Sequence, residues 1–312
     1  MTRTRERKIV LVTRRTRLDD LLYRYNTVEQ ARFHVESLGA DFEDYLDEDR
    51  TYKQQIAIAE RTLARLGRVH PLERSFLPNF IFGDDDLVVV IGQDGLVANT
   101  LKYVPGRPVI AVNPDPRRYD GILLPFEVND VYAISQEVMT KGRPVQAITM
   151  AEASLSDGQR LLAVNDLFIG PASHTSARYE LRLGDKVEQQ SSSGVIVSTG
   201  LGSTGWLKSI MAGTIGVARA LGVAIPPERK VDGFAWDSEY LYYTVREPFP
   251  SVTSTTELVF GKVTNRRVLR ITSAMPQGGV IFSDGLIEDA VSFNAGLTVQ
   301  IEAAKEKCLL VN

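Results

Sequence analysis

The sequence predicts a Rossmann-like α/β domain followed by a mostly antiparallel β domain. Three observations carry this. Up to about residue 125, short apolar runs alternate with stretches of helical spacing. Beyond "YDGILLPF" the chain breaks into short runs separated by turn signals, several of them alternating with period two. One helical stretch, "TGWLKSIMAGTIGVARALG", interrupts those runs.

"KIVLVT" reads as the first buried strand. "TVEQARFHVESLG" reads as a helix: Thr27 and Gln30 have capping-box spacing, Val28, Ala31, Val35 and Leu38 share a face, and Gly39 supplies the stop. "QQIAIAERTLARLG" places Ile56, Ala59, Leu63 and Leu66 on one helical face. "DLVVVIG" has no polar alternation, as in a parallel strand buried on both faces. "GLVANTLKYV" follows as helix and "PVIAVN" as strand. In the second half, "VQAITMAEASL", "RLLAVNDLFIG", "RYELRLG", "GVIVSTG", "YLYYTVREPF", "TELVFGKV", "VLRITSA", "GGVIFSDG" and "LTVQIEA" read as strands. In "RYELRL", Tyr179, Leu181 and Leu183 fall on one face.

Composition narrows the chemistry. The 312 residues carry a net charge of −3, which argues against a broad nucleic-acid or anionic-membrane footprint. Any phosphate site must be local. A single cysteine, Cys308, builds no disulfide framework, and His34, His70 and His174 lack metal-ligand spacing. No apolar run approaches the roughly 20 residues of a membrane helix. A soluble protein of a reducing compartment, the cytoplasm, is expected.

Two glycine turns stand out. "VVVIGQDG" ends a strand in Gly92-Gln93-Asp94-Gly95 and opens a helix. Bare glycine backbone and an unpaired helix N-terminus suit phosphate oxygens. An acid there fits if it takes a proton or meets a metal, and otherwise it is turn chemistry. The second, "STGLGSTGW", contains Gly-x-Gly-x-x-Gly at Gly200, Gly202 and Gly205. It lies deep among β strands, and Glu228 lies beyond the spacing of the usual ribose acid, so it is not read as a dinucleotide fingerprint. Its hydroxyls and Trp206 could flank a base.

Taken in order, "GQDG", "AVNDLFIG" and "STGLGSTGW" resemble the NAD kinases. That family carries Gly-Gly-Asp-Gly-Thr, an Asn-Glu pair opening a strand, and Thr-Gly-Ser-Thr-Ala-Tyr. "TRLDDLLYRY", "VNPDP" with "DG" after it, "SSG", "REP" and "FSDG" are most similar to the mitochondrial type. The resemblance spans nearly the whole chain. It implies an α/β domain over 1–125, rejoined by a tail over 286–312, and a dinucleotide-binding β domain over 126–285, with the substrate held in a cleft. It implies transfer of a phosphoryl group from ATP or polyphosphate, with Mg²⁺ or another divalent cation, to the adenosine ribose 2′-hydroxyl of NAD. A homodimer or homotetramer is expected.

By matching position, Asp94 would accept the hydroxyl proton, and Gly92 and Gly95 would shape the phosphate turn. Asn165 and Asp166 would hold the dinucleotide ribose. Thr204, Gly205, Trp206 and Ser209 would surround a base. The chain departs from the family pattern at Gln93, Leu96, Asp166, Ser193 and Leu201. Gln93 and Leu96 are expected to place side chains where the family leaves bare backbone and a hydroxyl for phosphate. Two alternatives follow: a kinase of this fold for another hydroxyl acceptor, such as a sugar or nucleoside, and a silent nucleotide-binding protein.

Overall fold

The structure, a computed structural model, describes residues 7–223 and 233–312; Glu228 lies outside them. The chain divides into two compact units, Met1–Gln146 with Leu309–Asn312, and Ala147–Cys308.

The first unit is α/β. Its elements are β1 (Lys8–Thr13), α1 (Arg17–Tyr25), α2 (Val28–Ser37), α3 (Phe42–Leu63), β2 (Arg68–Glu73), β3 (Leu87–Ile91), α4 (Asp94–Leu101), β4 (Pro108–Asn113), β5 (Phe126–Glu127) and α5 (Val131–Thr140). The strands pair in parallel in the order β2-β1-β3-β4, with β5 beside β4. β3 is buried at every residue, as its unbroken apolar run requires. One core joins Ile9, Leu11, Val89 and Ile110 of the sheet to Tyr52, Ala59 and Leu63 of α3.

Thr27 caps α2 by accepting from the Gln30 amide, while the Thr27 amide donates to the Tyr25 carbonyl. The full reciprocal box instead opens α1, between Thr16 and Asp19. α3 begins at Phe42, N-capped by Asp41, well before the apolar stripe read from the sequence. β2 and α5 stand where the sequence announced no element.

The second unit is β-rich. It contains β6 (Val145–Leu155), whose first two residues belong to the first unit, then β7 (Arg160–Ala163), β8 (Asp166–Pro171), β9 (Ala177–Leu183), β10 (Lys186–Ser192), β11 (Val195–Ser198), α6 (Trp206–Ala220), β12 (Leu241–Val245), β13 (Phe260–Val263), β14 (Leu269–Ser273), β15 (Gly279–Ser283), β16 (Leu286–Ser292) and β17 (Thr298–Val311). Antiparallel pairing runs β13-β12-β11-β8-β15-β16 in one sheet. A second antiparallel set runs β10-β9-β14-β17. Leu167, Val197, Tyr243 and Ile281 of the first set share a core with Tyr179, Leu181, Leu183, Ile271 and Val299 of the second.

The division falls later than the expected 125. Phe126, Val128, Val131 and Ile134 pack into the first unit's core, so β5 and α5 belong there. The expected tail over 286–312 is also shorter. Only Leu309–Asn312 groups with the first unit, where Leu309 and Leu310 pair with Pro108 and Val109 of β4. β16 and most of β17 are ladder strands of the second unit.

Candidate active site

In the first unit, β3 runs out at Ile91 and the chain turns through Gly92 and Gln93 into α4. Gln93 is the N-cap residue, and its side chain makes no capping bond, so the helix N-terminus keeps unpaired donors. Asp94 is the first helical residue. One carboxylate oxygen accepts from the Leu123 amide at 2.7 Å, which ties it to the loop beyond β4. A Cβ at Gly95 would meet nothing within 4 Å, so that side of the turn is open.

Gly92 has a different reason for being glycine. A Cβ there would stand 2.7 Å from Leu96 Cδ2. Leu96 is buried and points back under the turn. The expectation that Leu96 stands where a hydroxyl would face phosphate is therefore corrected: its side chain is part of the core. Gln93 remains half-buried on the turn itself.

The turn rests on a network that the sequence did not announce. The Tyr52 hydroxyl donates to the Ile91 carbonyl at 2.8 Å and accepts from the Arg14 amide at 3.0 Å, joining the carboxyl ends of β3 and β1. Arg14 donates to Glu48 and to the Tyr119 hydroxyl. Asn113, closing β4, donates to the Tyr119 carbonyl and accepts from the Asp115 amide. Gly121, at φ 68°, lets that asparagine amide approach, since a Cβ would lie 2.7 Å from it. These links brace the "VNPDP…DG" loop whose Leu123 holds Asp94.

In the second unit, Asn165 and Asp166 lie where β7 passes into β8. Asp284 Oδ1 accepts from the Asn165 amide at 2.6 Å and the Asp166 amide at 3.3 Å, and Oδ2 accepts from the Val164 amide at 3.0 Å. From the other side, Thr199 donates its hydroxyl to the Val164 carbonyl at 2.6 Å and its amide to the Asn165 carbonyl at 2.9 Å. Asp166 has one buried carboxyl oxygen without a hydrogen-bond partner among the described residues. Burial, and then the Asp284 charge, push its pKa up to about 7, against a hydrogen bond from Ser198.

Gly202 explains the second glycine turn. A Cβ there would collide with the Asn165 carbonyl, and one at Gly200 would collide with the Ala235 carbonyl. The glycines permit close backbone approach, and the turn is laid against the Asn165 segment. Thr204, Gly205 and Ser209 are exposed beyond it, at the start of α6. Thr204 donates to the Leu201 carbonyl and Ser209 to the Gly205 carbonyl. The structure thus gathers Asn165, Asp166 and the turn carrying Thr204, Gly205, Trp206 and Ser209 into one region of this unit.

Trp206 opens α6 half-buried, stacked on Phe168 with ring centroids 6.0 Å apart; Phe168 in turn stacks on Phe282 at 4.7 Å. Phe168 lies over bare backbone, since a Cβ at Gly170 or Gly194 would come within 2.8 Å of its ring. The Arg246 guanidinium sits 5.7 Å from the Trp206 ring centroid. A cavity of about 430 Å³ opens here, lined by Phe168, Trp206, Phe282, Arg246, Ser193 and His174 among others. Size, aromatic walls and a few polar groups suit a planar ligand. Phe168, Arg246, Thr199 and Asp284 lie inside the motifs "AVNDLFIG", "REP", "STGLGSTGW" and "FSDG" but were assigned no role, because it is long-range pairing that brings them to this region.

No family model matches the chain, and no curated protein matches it by sequence. Solved structures do. The NAD kinase of Archaeoglobus fulgidus, solved in complex with ATP, superposes over 98% of this chain and 93% of its own with a TM-score of 0.54 at 17% identity. The yeast NADH kinase, solved with NADH, superposes over 99% of this chain and 84% of its own with a TM-score of 0.58 at 13% identity. A likeness at such identities speaks for the backbone arrangement: the chain has the NAD kinase fold, an α/β unit and an antiparallel β unit.

Proposed function

We propose that the protein is an NAD kinase-like phosphotransferase that moves a phosphoryl group from ATP, or from polyphosphate, to the adenosine ribose 2′-hydroxyl of NAD. The observation that carries this reading is Asp94, a carboxylate held by Leu123 at the first position of a helix whose N-terminal donors are uncapped. Fold likeness to enzymes solved with ATP and with NADH supports it, as does the order of the three motifs along the chain.

Each group has a task in this reading. A ribose hydroxyl is a weak nucleophile, and Asp94 accepts its proton as the oxygen attacks. The amides of the Gly92–Gly95 turn and the start of α4 receive phosphate oxygens. Phosphoryl transfer depends mainly on alignment and charge neutralisation. Among the described residues no three His, Cys, Asp or Glu side chains gather where they could hold a metal. The divalent cation, Mg²⁺ in the first instance, is read as part of the donor substrate. Asn165 and Asp166 take the ribose hydroxyls, and Thr204, Gly205, Trp206 and Ser209 surround a base. Assembly as a homodimer or homotetramer belongs to the same reading.

With ATP and Mg²⁺, the purified protein should convert NAD to NADP. Asp94→Asn should lower kcat about 100-fold or more, while its dinucleotide Kd stays within a factor of a few. No NADP from NAD and no NADPH from NADH, with either donor, would sink the reading.

A further inference from the structure

We propose that Asp284 is a positioning residue for the dinucleotide: from the β15–β16 turn its carboxylate sets the backbone of Asn165 and Asp166, the pair that meets the ribose. The proposal rests on the dinucleotide reading above.

The turn is built to deliver that carboxylate. Ser283 pairs with Leu286, which leaves Asp284 and Gly285 as a two-residue hairpin loop. Both adopt left-handed backbone, at φ 54° and 73°. An Asp-Gly pair suits such a turn, since Asp tolerates the region better than most residues and Gly adopts it freely. The Asp284 amide donates to the Asp166 carbonyl at 3.0 Å, and three successive amides, 164 to 166, converge on the Asp284 carboxylate. Successive N–H groups of this kind form a concavity for an anion. Here a side chain from a distant strand fills it. With Thr199 holding the carbonyls of Val164 and Asn165, the backbone is clamped on both sides, and the Asn165 and Asp166 side chains alone remain to adapt to a ligand.

Charge separates this role from plain scaffolding. Asp166 is faced by Ser198 on β11 and by Asp284 on the turn; burial, with the Asp284 charge second, raises the Cys308 thiol on β17. Removing the Asp284 charge takes away one of the two causes that hold the Asp166 proton, so Asp166 titrates at lower pH.

The experiment measures NADH and NAD binding to the full chain by calorimetry from pH 5.5 to 8.5, without donor, with a thermal melt of each variant. Asp284→Asn should weaken dinucleotide binding about tenfold or more, leave ATP binding unchanged, and move the inflection of the binding–pH curve downward. Gly285→Ala strains the turn yet keeps the charge. It should weaken binding without moving the inflection, and it serves as the test if the asparagine variant does not fold. Wild-type affinity and an unmoved inflection in a folded Asp284→Asn protein, or wild-type affinity in Gly285→Ala, would overturn the proposal. A wild-type protein that binds neither dinucleotide would remove the dinucleotide reading itself, and the proposal with it.

Discussion

Asp166 joins β8 with its carboxyl group buried and one oxygen unpartnered. Its raised pKa, about 7, means that the folded chain keeps a proton which the unfolded chain, near the ordinary value of 3.8, has released. The folded state therefore binds more protons between those values, and stability falls as pH rises through the interval, by at most about 4 kcal/mol. Carboxylates with lowered pKa values, such as Asp44 and Glu48, act on the other side, losing their contribution only as pH falls below the usual carboxylate range. The urea midpoint should be higher at pH 5.5 than at pH 8, and Asp166→Asn should flatten that difference. An equal slope in both proteins would show that another group titrates. At this scale the sequence was legible for residue identity and opaque for orientation. It named Asn165, Asp166 and Trp206, yet Leu96 was read as facing phosphate because local order does not say which way a first-turn side chain points. Gly92 answers that question only once Leu96 is seen packed beneath it.

At the scale of elements, apolar periodicity found many helices and strands that bury a face, and missed the first half of α3, β2 at the sheet edge, and α5, which buries Val131 and Ile134. α3 is the clearest case. Its second half carries Ile56, Ala59 and Leu63, and was read correctly; its first half, "FEDYLDEDR", was not, although Phe42, Tyr45 and Leu46 pack with Leu18 of α1 and with Ala31 and Val35 of α2. Ion pairs add to that packing: Glu48 pairs with Arg14 and Arg17, and Asp44 pairs with Arg17 and Arg118. β2 was missed for the complementary reason: it is an outer strand of the parallel sheet, mostly exposed, with Pro71 in its run. Burial opposes the charge on Glu48, but the two arginines outweigh it and hold its pKa low. The Arg14 side chain is only 10% exposed, so losing its anion leaves a largely buried cation unpaired. Glu48→Gln should destabilise the protein by about 3 kcal/mol at pH 7. The deficit should shrink only as pH falls below the usual carboxylate range, where wild-type Glu48 begins to take up a proton. Urea titrations at pH 7 and at successive values below the usual carboxylate range measure both, and a deficit that never changes with pH would show that the ion pairs are not its source.

For the whole molecule, the change of texture after the α/β stretch was enough to foresee two units of different class. The exact division was not, because β5 and α5 carry apolar residues that could serve either core, and tertiary packing decides. The family resemblance led to the expectation of a tail over 286–312 rejoining the first domain; the residues that group with the first unit are Leu309–Asn312. Those residues do much for the first unit. Leu310 and Val311 are essentially buried, Leu309 and Leu310 add a parallel neighbour to β4, the Asn312 amide donates to the Pro144 carbonyl, and Arg143 donates to the Asn312 carbonyl. Burying two aliphatic side chains of this size is worth about 3–6 kcal/mol in total, a large share of the 5–15 kcal/mol typical of a folded domain. Deleting 309–312 should therefore loosen the first unit selectively. Amides of β3 and β4 should exchange hydrogen markedly faster, while those of β9 and β14, whose ladders end before residue 309, keep their protection. Hydrogen exchange read peptide by peptide distinguishes the outcomes: equal loss of protection in both units would mean that they unfold as one cooperative body, and no loss in either would mean that the pairing beside β4 contributes nothing to stability.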